Sequence, residues 1–174
     1  ASPGSMTALV FCSRQYFGNV SIGTNSLLVP PETPKLMFTH IFVYARTSFA
    51  EQTTPASRLI IDKSASVSNV AFTDLDLDPS ELGGVLGWRA PEDADRIEVY
   101  RVYLSPGPSG LQRARIGDDA PLGTDEVAVP ADTAMAAHTH FVVYTKSALV
   151  EQTTPVALAI VDIASTVEGL AFPD

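Results

Sequence analysis

The chain has 174 residues, a net charge of −9 and an apolar share of 45%. That balance excludes the clustered cations that nucleic acid or an anionic membrane surface requires, and the apolar share excludes a disordered chain. No apolar run reaches the ~20 residues needed to insert across a bilayer, and the single cysteine, Cys12, excludes an internal disulfide.

The chain repeats itself at an offset of one hundred residues. Residues 23–74 align with residues 123–174 without a gap, and 20 of those 52 positions are identical. A period this long, kept in register, predicts tandem domains of one fold rather than a short solenoid repeat. Helical periodicity is nearly absent. Short β-branched and aromatic runs alternate with Pro, Gly, Asp and Ser clusters, the pattern of an all-β chain.

The first unit, residues 1–65, is expected to be a partial sandwich. Ala8–Ser13 aligns with Val102–Gly107. Thr39–Arg46 and Ala56–Lys63 read as its last two strands. Nothing in residues 1–65 matches Val67–Trp88, so the first two strands of the fold are missing from this unit. Either the chain is a piece of a longer one or another chain covers the open face. Asn19-Val20-Ser21 is a glycosylation sequon.

The second unit, residues 66–174, reads as a complete sandwich. Val67–Phe72 suits a first strand, and Asp74-Leu75-Asp76-Leu77-Asp78-Pro79 a loop. Gly84–Trp88 is a second strand with Leu86 and Trp88 on one face, followed by a loop at Ala90–Asp95. Arg96–Leu104 is a third strand with Tyr100, Val102 and Leu104 on one face. A sharp turn region spans Ser105–Gly110. Gln112–Ile116 suits a short edge strand, and Asp125–Val129 a strand ended by Pro130. Thr139–Lys146 and Val156–Ile163 close a set of about seven, the number expected of a sandwich.

Leu86-x-Trp88, Ala90-Pro91 and Tyr100-x-Val102 resemble the second and third strands of fibronectin type III domains. Val129-Pro130, Met135, Thr139 and Phe141 resemble that fold's path into its sixth strand, with Phe141 and Ile41 where the usual corner tyrosine would fall. The stretches Asp74–Trp88 and Thr139–Asp162 resemble tandem repeats of very long proteins of unicellular algae and related protists. The resemblance implies tandem immunoglobulin/fibronectin-III-like β-sandwiches, the first one incomplete, serving as a repeated extracellular-type or scaffolding module.

Three features carry candidate chemistry. Asp74, Asp76, Asp78 and Glu81 place alternate carboxylates near the unit junction, a spacing that suits oxygen ligation of Ca²⁺. Without an ion the same run is a solvated acidic loop, and the glycine and glutamate positions of an EF-hand are not met. His138 and His140 share a face at a spacing compatible with Zn²⁺, but Phe38 replaces the first of them in the first unit. Glu51, Gln52, Thr53 and Thr54, which recur as Glu151, Gln152, Thr153 and Thr154, join the last two strands. They are either interaction loops or turns that set the path into the last strand.

No nucleophile elbow, phosphate-cradling loop or zinc-hydrolase motif occurs, so the expectation is a non-enzyme without an obligatory cofactor. The sequence points to a structural or adhesive module outside the cell, at its surface or in an organelle lumen. Its expected partners are other protein chains or further repeats. An accessory subunit of a large assembly is an alternative. A carbohydrate-binding module using Tyr16, Phe17 and Tyr103 is another.

Overall fold

The computed structural model describes residues 14–171. The segment Ala8–Ser13, aligned above with a third strand, lies outside them. The chain divides into two compact units, one ending at Thr39 and the other beginning at His40. The repeat boundary expected near residue 65 therefore falls inside the second compact unit. No helix of the described residues is long and apolar enough to cross a membrane.

Residues 14–39 hold no strand, yet their turns match those of residues 114–139 one hundred positions on. Gly23 and Gly123 have φ of 94° and 93°, Glu32 and Asp132 of 61° and 59°, and Leu36 and Ala136 of 49° and 48°. The Thr33 hydroxyl donates to the Pro30 carbonyl at 2.7 Å, and the Thr133 hydroxyl to the Pro130 carbonyl at 2.6 Å. These conformations follow from local sequence.

Among the described residues, the second compact unit holds nine antiparallel strands. These are β1 (His40–Val43), β2 (Ala56–Leu59), β3 (Ser68–Asp74), β4 (Glu81–Arg89), β5 (Val99–Ser105), β6 (Ala114–Pro121), β7 (Glu126–Ala134), β8 (His140–Lys146) and β9 (Val156–Ala159). β1 and β2 form a separate hairpin. The other seven make sheets of order β3-β4-β7 and β6-β5-β8-β9.

The core between these two sheets follows from side-chain alternation. β4 contributes Leu82, Leu86 and Trp88, and β5 contributes Tyr100, Val102 and Leu104. β8 adds Phe141 and Val143, with Val67, Ile116 and Val129 around them. Trp88 packs on Tyr100 with ring centroids 5.4 Å apart, and Phe72 on Phe141 at 4.6 Å. The faces expected for Leu86, Trp88, Tyr100, Val102 and Leu104 are those observed.

Several strand ends differ from expectation. β7 runs through Pro130 to Ala134 instead of stopping at it. Leu82 pairs with Thr133 and Gly84 with Val129, so Pro130, Ala131 and Asp132 bulge outward opposite Gly83. β7 is also an edge strand, and a bulge on an edge tolerates a residue without an N–H. β6 extends to Pro121 because β5 offers partners as far as Val99. β9 stops at Ala159; Ile160 N–H still donates to the Thr139 carbonyl next to β8, and farther on Ile163 N–H donates to Asp74 and Ser165 N–H to the Leu77 carbonyl.

Candidate functional site

The acidic run lies where the β3–β4 loop meets the bulge in β7. Asp74 ends β3, is 4% exposed, and does not join its neighbours. Its Oδ1 accepts from the amides of Asp76 (3.2 Å) and Gly83 (3.0 Å), and its Oδ2 from that of Ile163 (3.2 Å). Three amide donors on one buried carboxylate make Asp74 a fastener of the loop and of the segment after β9.

The other three expected carboxylates do come together, and a fourth joins them. Asp76, Asp78, Glu81 and Asp132 each place one oxygen within 4.8 Å of the others. Asp132 was not among the residues singled out from sequence. It reaches the group because the β7 bulge holds it at positive φ, a conformation Asp adopts more readily than most residues. Its amide donates to Asp76 Oδ2 at 2.8 Å, while the Asp78 amide donates to Asp76 Oδ1 at 3.0 Å. Gly83 permits this approach, since a Cβ there would stand 3.1 Å from the Ala131 Cα and 3.4 Å from the Asp76 Cβ. One signal was present in the sequence: Val29-Pro30-Pro31-Glu32-Thr33 and Val129-Pro130-Ala131-Asp132-Thr133 keep an acid at the same step.

Charge is distributed unevenly over this group. The amides of Asp132 and Asp78 hold the Asp76 carboxyl below the usual range. Loss of solvent pushes the Glu81 carboxyl up, and the charges of Asp132, Asp76 and Asp78 push it further. Chemically the arrangement offers hard oxygen donors to a cation of Ca²⁺ size, whose ligands sit 2.3–2.6 Å from the ion.

The doubled Glu-Gln-Thr-Thr-Pro segment forms the turn of a hairpin in both copies. Gln52 N–H donates to the Ala45 carbonyl at 2.8 Å, and Gln152 N–H to the Thr145 carbonyl at 2.9 Å. Gln152 also accepts from the Thr145 hydroxyl and donates to the Ser66 hydroxyl. Glu151 is the hub of a polar network on the outer face of the four-stranded sheet. It accepts from Tyr103 Oη at 2.8 Å and pairs with Arg101 and Arg113. Arg101 in turn holds Asp119, whose carboxyl is depressed to about 2 by that guanidinium. The Arg113 guanidinium lies 4.2 Å from the Tyr144 ring centre and 4.6 Å from that of Tyr103. Thr53, Thr54, Thr153 and Thr154 face solvent.

The remaining candidates are dispersed. His138 Nδ1 lies 3.1 Å from the Met135 carbonyl, and His140 Nδ1 2.7 Å from the Thr139 hydroxyl. Each ring is thus engaged next to its own position. Tyr16 and Phe17 are exposed, whereas Tyr103 is covered by Arg113 and bonded to Glu151.

The two hairpins compare most informatively. In the second, Phe141 pairs with Leu158, Val142 with Ala157 and Val143 with Val156; in the first, Ile41 pairs with Arg58, Phe42 with Ser57 and Val43 with Ala56. The bridges Arg46–Glu51 and Lys146–Glu151 also correspond. Arg58 and Ser57 replace Leu158 and Ala157 in the first hairpin, and the environments differ as well. Phe141, Val142 and Val143 are at most 1% exposed, while Ile41, Phe42 and Val43 are 43%, 50% and 66% exposed. Comparison of the chain with protein-family models, with curated proteins and with solved structures gives no match.

Proposed function

We propose that this chain is a structural or adhesive module built from tandem fibronectin-III-like sandwiches, and that it works by contact with other protein chains. The observation that carries this reading is the exposed β1–β2 hairpin. It repeats the register of the buried β8–β9 hairpin, yet its apolar side chains Ile41, Phe42 and Val43 are about half exposed or more. Contiguous apolar surface on a folded chain marks an interaction site more often than it is tolerated. The sheet orders β3-β4-β7 and β6-β5-β8-β9 support the fibronectin-like part of the reading. An accessory subunit in a larger assembly would use the same face.

The test is protection of that face. Hydrogen exchange of the His40–Leu59 amides is measured in the chain alone and in complexes recovered from its native source. The expected result is slowed exchange there in the complexes. Equal exchange in both states removes the reading.

A further inference from the structure

The sequon Asn19-Val20-Ser21 has no part in the proposed function, yet the fold presents it openly. All three residues are exposed and lie outside any strand. Gly18 precedes them at φ 147°, a backbone that favours glycine, with room for a Cβ only 3.5 Å from Leu27 Cδ1. After them the chain turns at once: Thr24 N–H donates to the Ser21 carbonyl at 3.0 Å, and Gly23 sits at φ 94°. An exposed stretch free of helix and sheet lets a transferase close on the carboxamide of Asn19 and on the hydroxyl two residues later.

The second copy shows where this position points in a complete sandwich. Thr124 N–H donates to the Pro121 carbonyl, also at 3.0 Å, so Ser21 corresponds to Pro121 and Asn19 to Asp119. Asp119 lies on β6, an edge of the four-stranded sheet. Its neighbour Ala120 is buried, and Asp119 itself faces outward to pair with Arg101 and Arg115. The fold therefore directs this side chain to the solvent side even where a strand has formed.

Chemistry separates the two copies. Asp119 has no carboxamide nitrogen, Pro121 has no hydroxyl, and Asp119 is held by its ion pairs. Asn19 and Ser21 supply both groups, and Gln15 stands where Arg115 does, so that ion pair is lost from both sides in the first copy. The residues around Asn19 also favour a hydrophilic cover. Tyr16, Phe17 and Val20 are 77%, 45% and 48% exposed, and a glycan is bulky and solubilising.

We infer that Asn19 is an N-glycosylation site. The donor is an oligosaccharide carried on a lipid pyrophosphate. The Asn19 Nδ2 attacks C1 of the first sugar and loses one proton. The bond from C1 to the pyrophosphate oxygen breaks, and the lipid pyrophosphate leaves with the electron pair. The inference goes beyond the proposed function and shares with it only the expected route outside the cell.

Peptide mapping of the protein from its native source tests this. Trypsin cleaves after Arg14 and Lys35, so residues 15–35 carry the sequon on one peptide. That peptide should bear a glycan, and a glycan-releasing amidase in heavy-oxygen water should convert Asn19, and not Asn25, to labelled aspartate. The 174-residue protein secreted from animal cells should likewise lose mass on amidase treatment. Asn19→Gln and Ser21→Ala should each remove that loss, and Ser21→Thr should keep it. A bare 15–35 peptide from the native source overturns the inference. So does a secreted parent without a glycan, or a mass loss that persists in Asn19→Gln. Each of these results leaves the proposed function standing, because exchange of the His40–Leu59 amides reads it separately.

Discussion

Single positions carry unequal weight in this sandwich. Trp88 is 6% exposed and packed on Tyr100, so Trp88→Ala should cost ~3–5 kcal/mol in a reversible melt. A loss below about 1 kcal/mol would mean that the site collapses around the missing ring. Gly110 is constrained twice: its φ is +71°, and a Cβ there would stand 1.9 Å from Tyr144 Oη, on a ring 0% exposed. Gly110→Ala should cost about 2 kcal/mol or more, read from the shift in urea midpoint. Asp119 gives a pH signature. Its carboxyl lies at about 2 against an ordinary 3.8, because Arg101 and Arg115 stabilise the charged form. A depressed carboxylate contributes stability above its unfolded pKa and loses it as pH falls through the folded one. The gap in melting temperature between the parent and Asp119→Asn should therefore be constant above pH 4 and shrink toward zero by about pH 2. A gap that is the same at pH 5 and pH 2 would show that the ion pairs do not couple to folding.

Loops and bulges decide what the acidic run can do. The β3–β4 loop supplies Asp76 and Asp78, β4 begins with Glu81, and the β7 bulge supplies Asp132. If Ca²⁺ binds this group, millimolar calcium should release measurable heat and raise the melting midpoint, and chelator should reverse the shift. Asp132→Asn should abolish that response with little effect on the ion-free protein, because the bond from residue 132 to Asp76 uses the backbone amide. Asp74→Asn should destabilise the protein with or without calcium, since Asp74 ties three amides. Absence of both heat and midpoint shift removes the metal site. Protons compete with the ion at Glu81, whose carboxyl its neighbours hold above the usual range. The calcium response should accordingly weaken on acidification from pH 7 toward pH 4.

The chain as an assembly of repeats is uneven, and its behaviour should be too. The seven strands β3 to β9 enclose a buried core within residues 66–174, whereas every residue of β1 and β2 is exposed. Residues 66–174 should stay in solution and unfold in one cooperative step, and residues 1–65 should aggregate when made alone. The comparison is by light scattering and by NMR of the two pieces. A dispersed spectrum from monomeric residues 1–65 would remove the main reason to expect a partner for the hairpin.

The faces of β4 and β5 were readable in sequence because a strand's alternation is local: Leu86 with Trp88, and Tyr100 with Val102 and Leu104, need only the period of two. The repeat was equally readable, and matching φ values at Glu32, outside any strand, and at Asp132, inside β7, show that short-range sequence sets that turn with or without a sheet around it. The path of β7 through Pro130 was not, because it depends on where β4 lies and on what Gly83 allows Ala131 to approach. The membership of the carboxylate group was not legible for the same reason. Asp74, first in the acidic run, turned inward to bond backbone amides, and Asp132, far along the chain, took its place. Spacing along one strand predicts which side chains share a face. Which strands meet, and whether a carboxylate finds amides or other carboxylates, depends on contacts between residues distant in sequence.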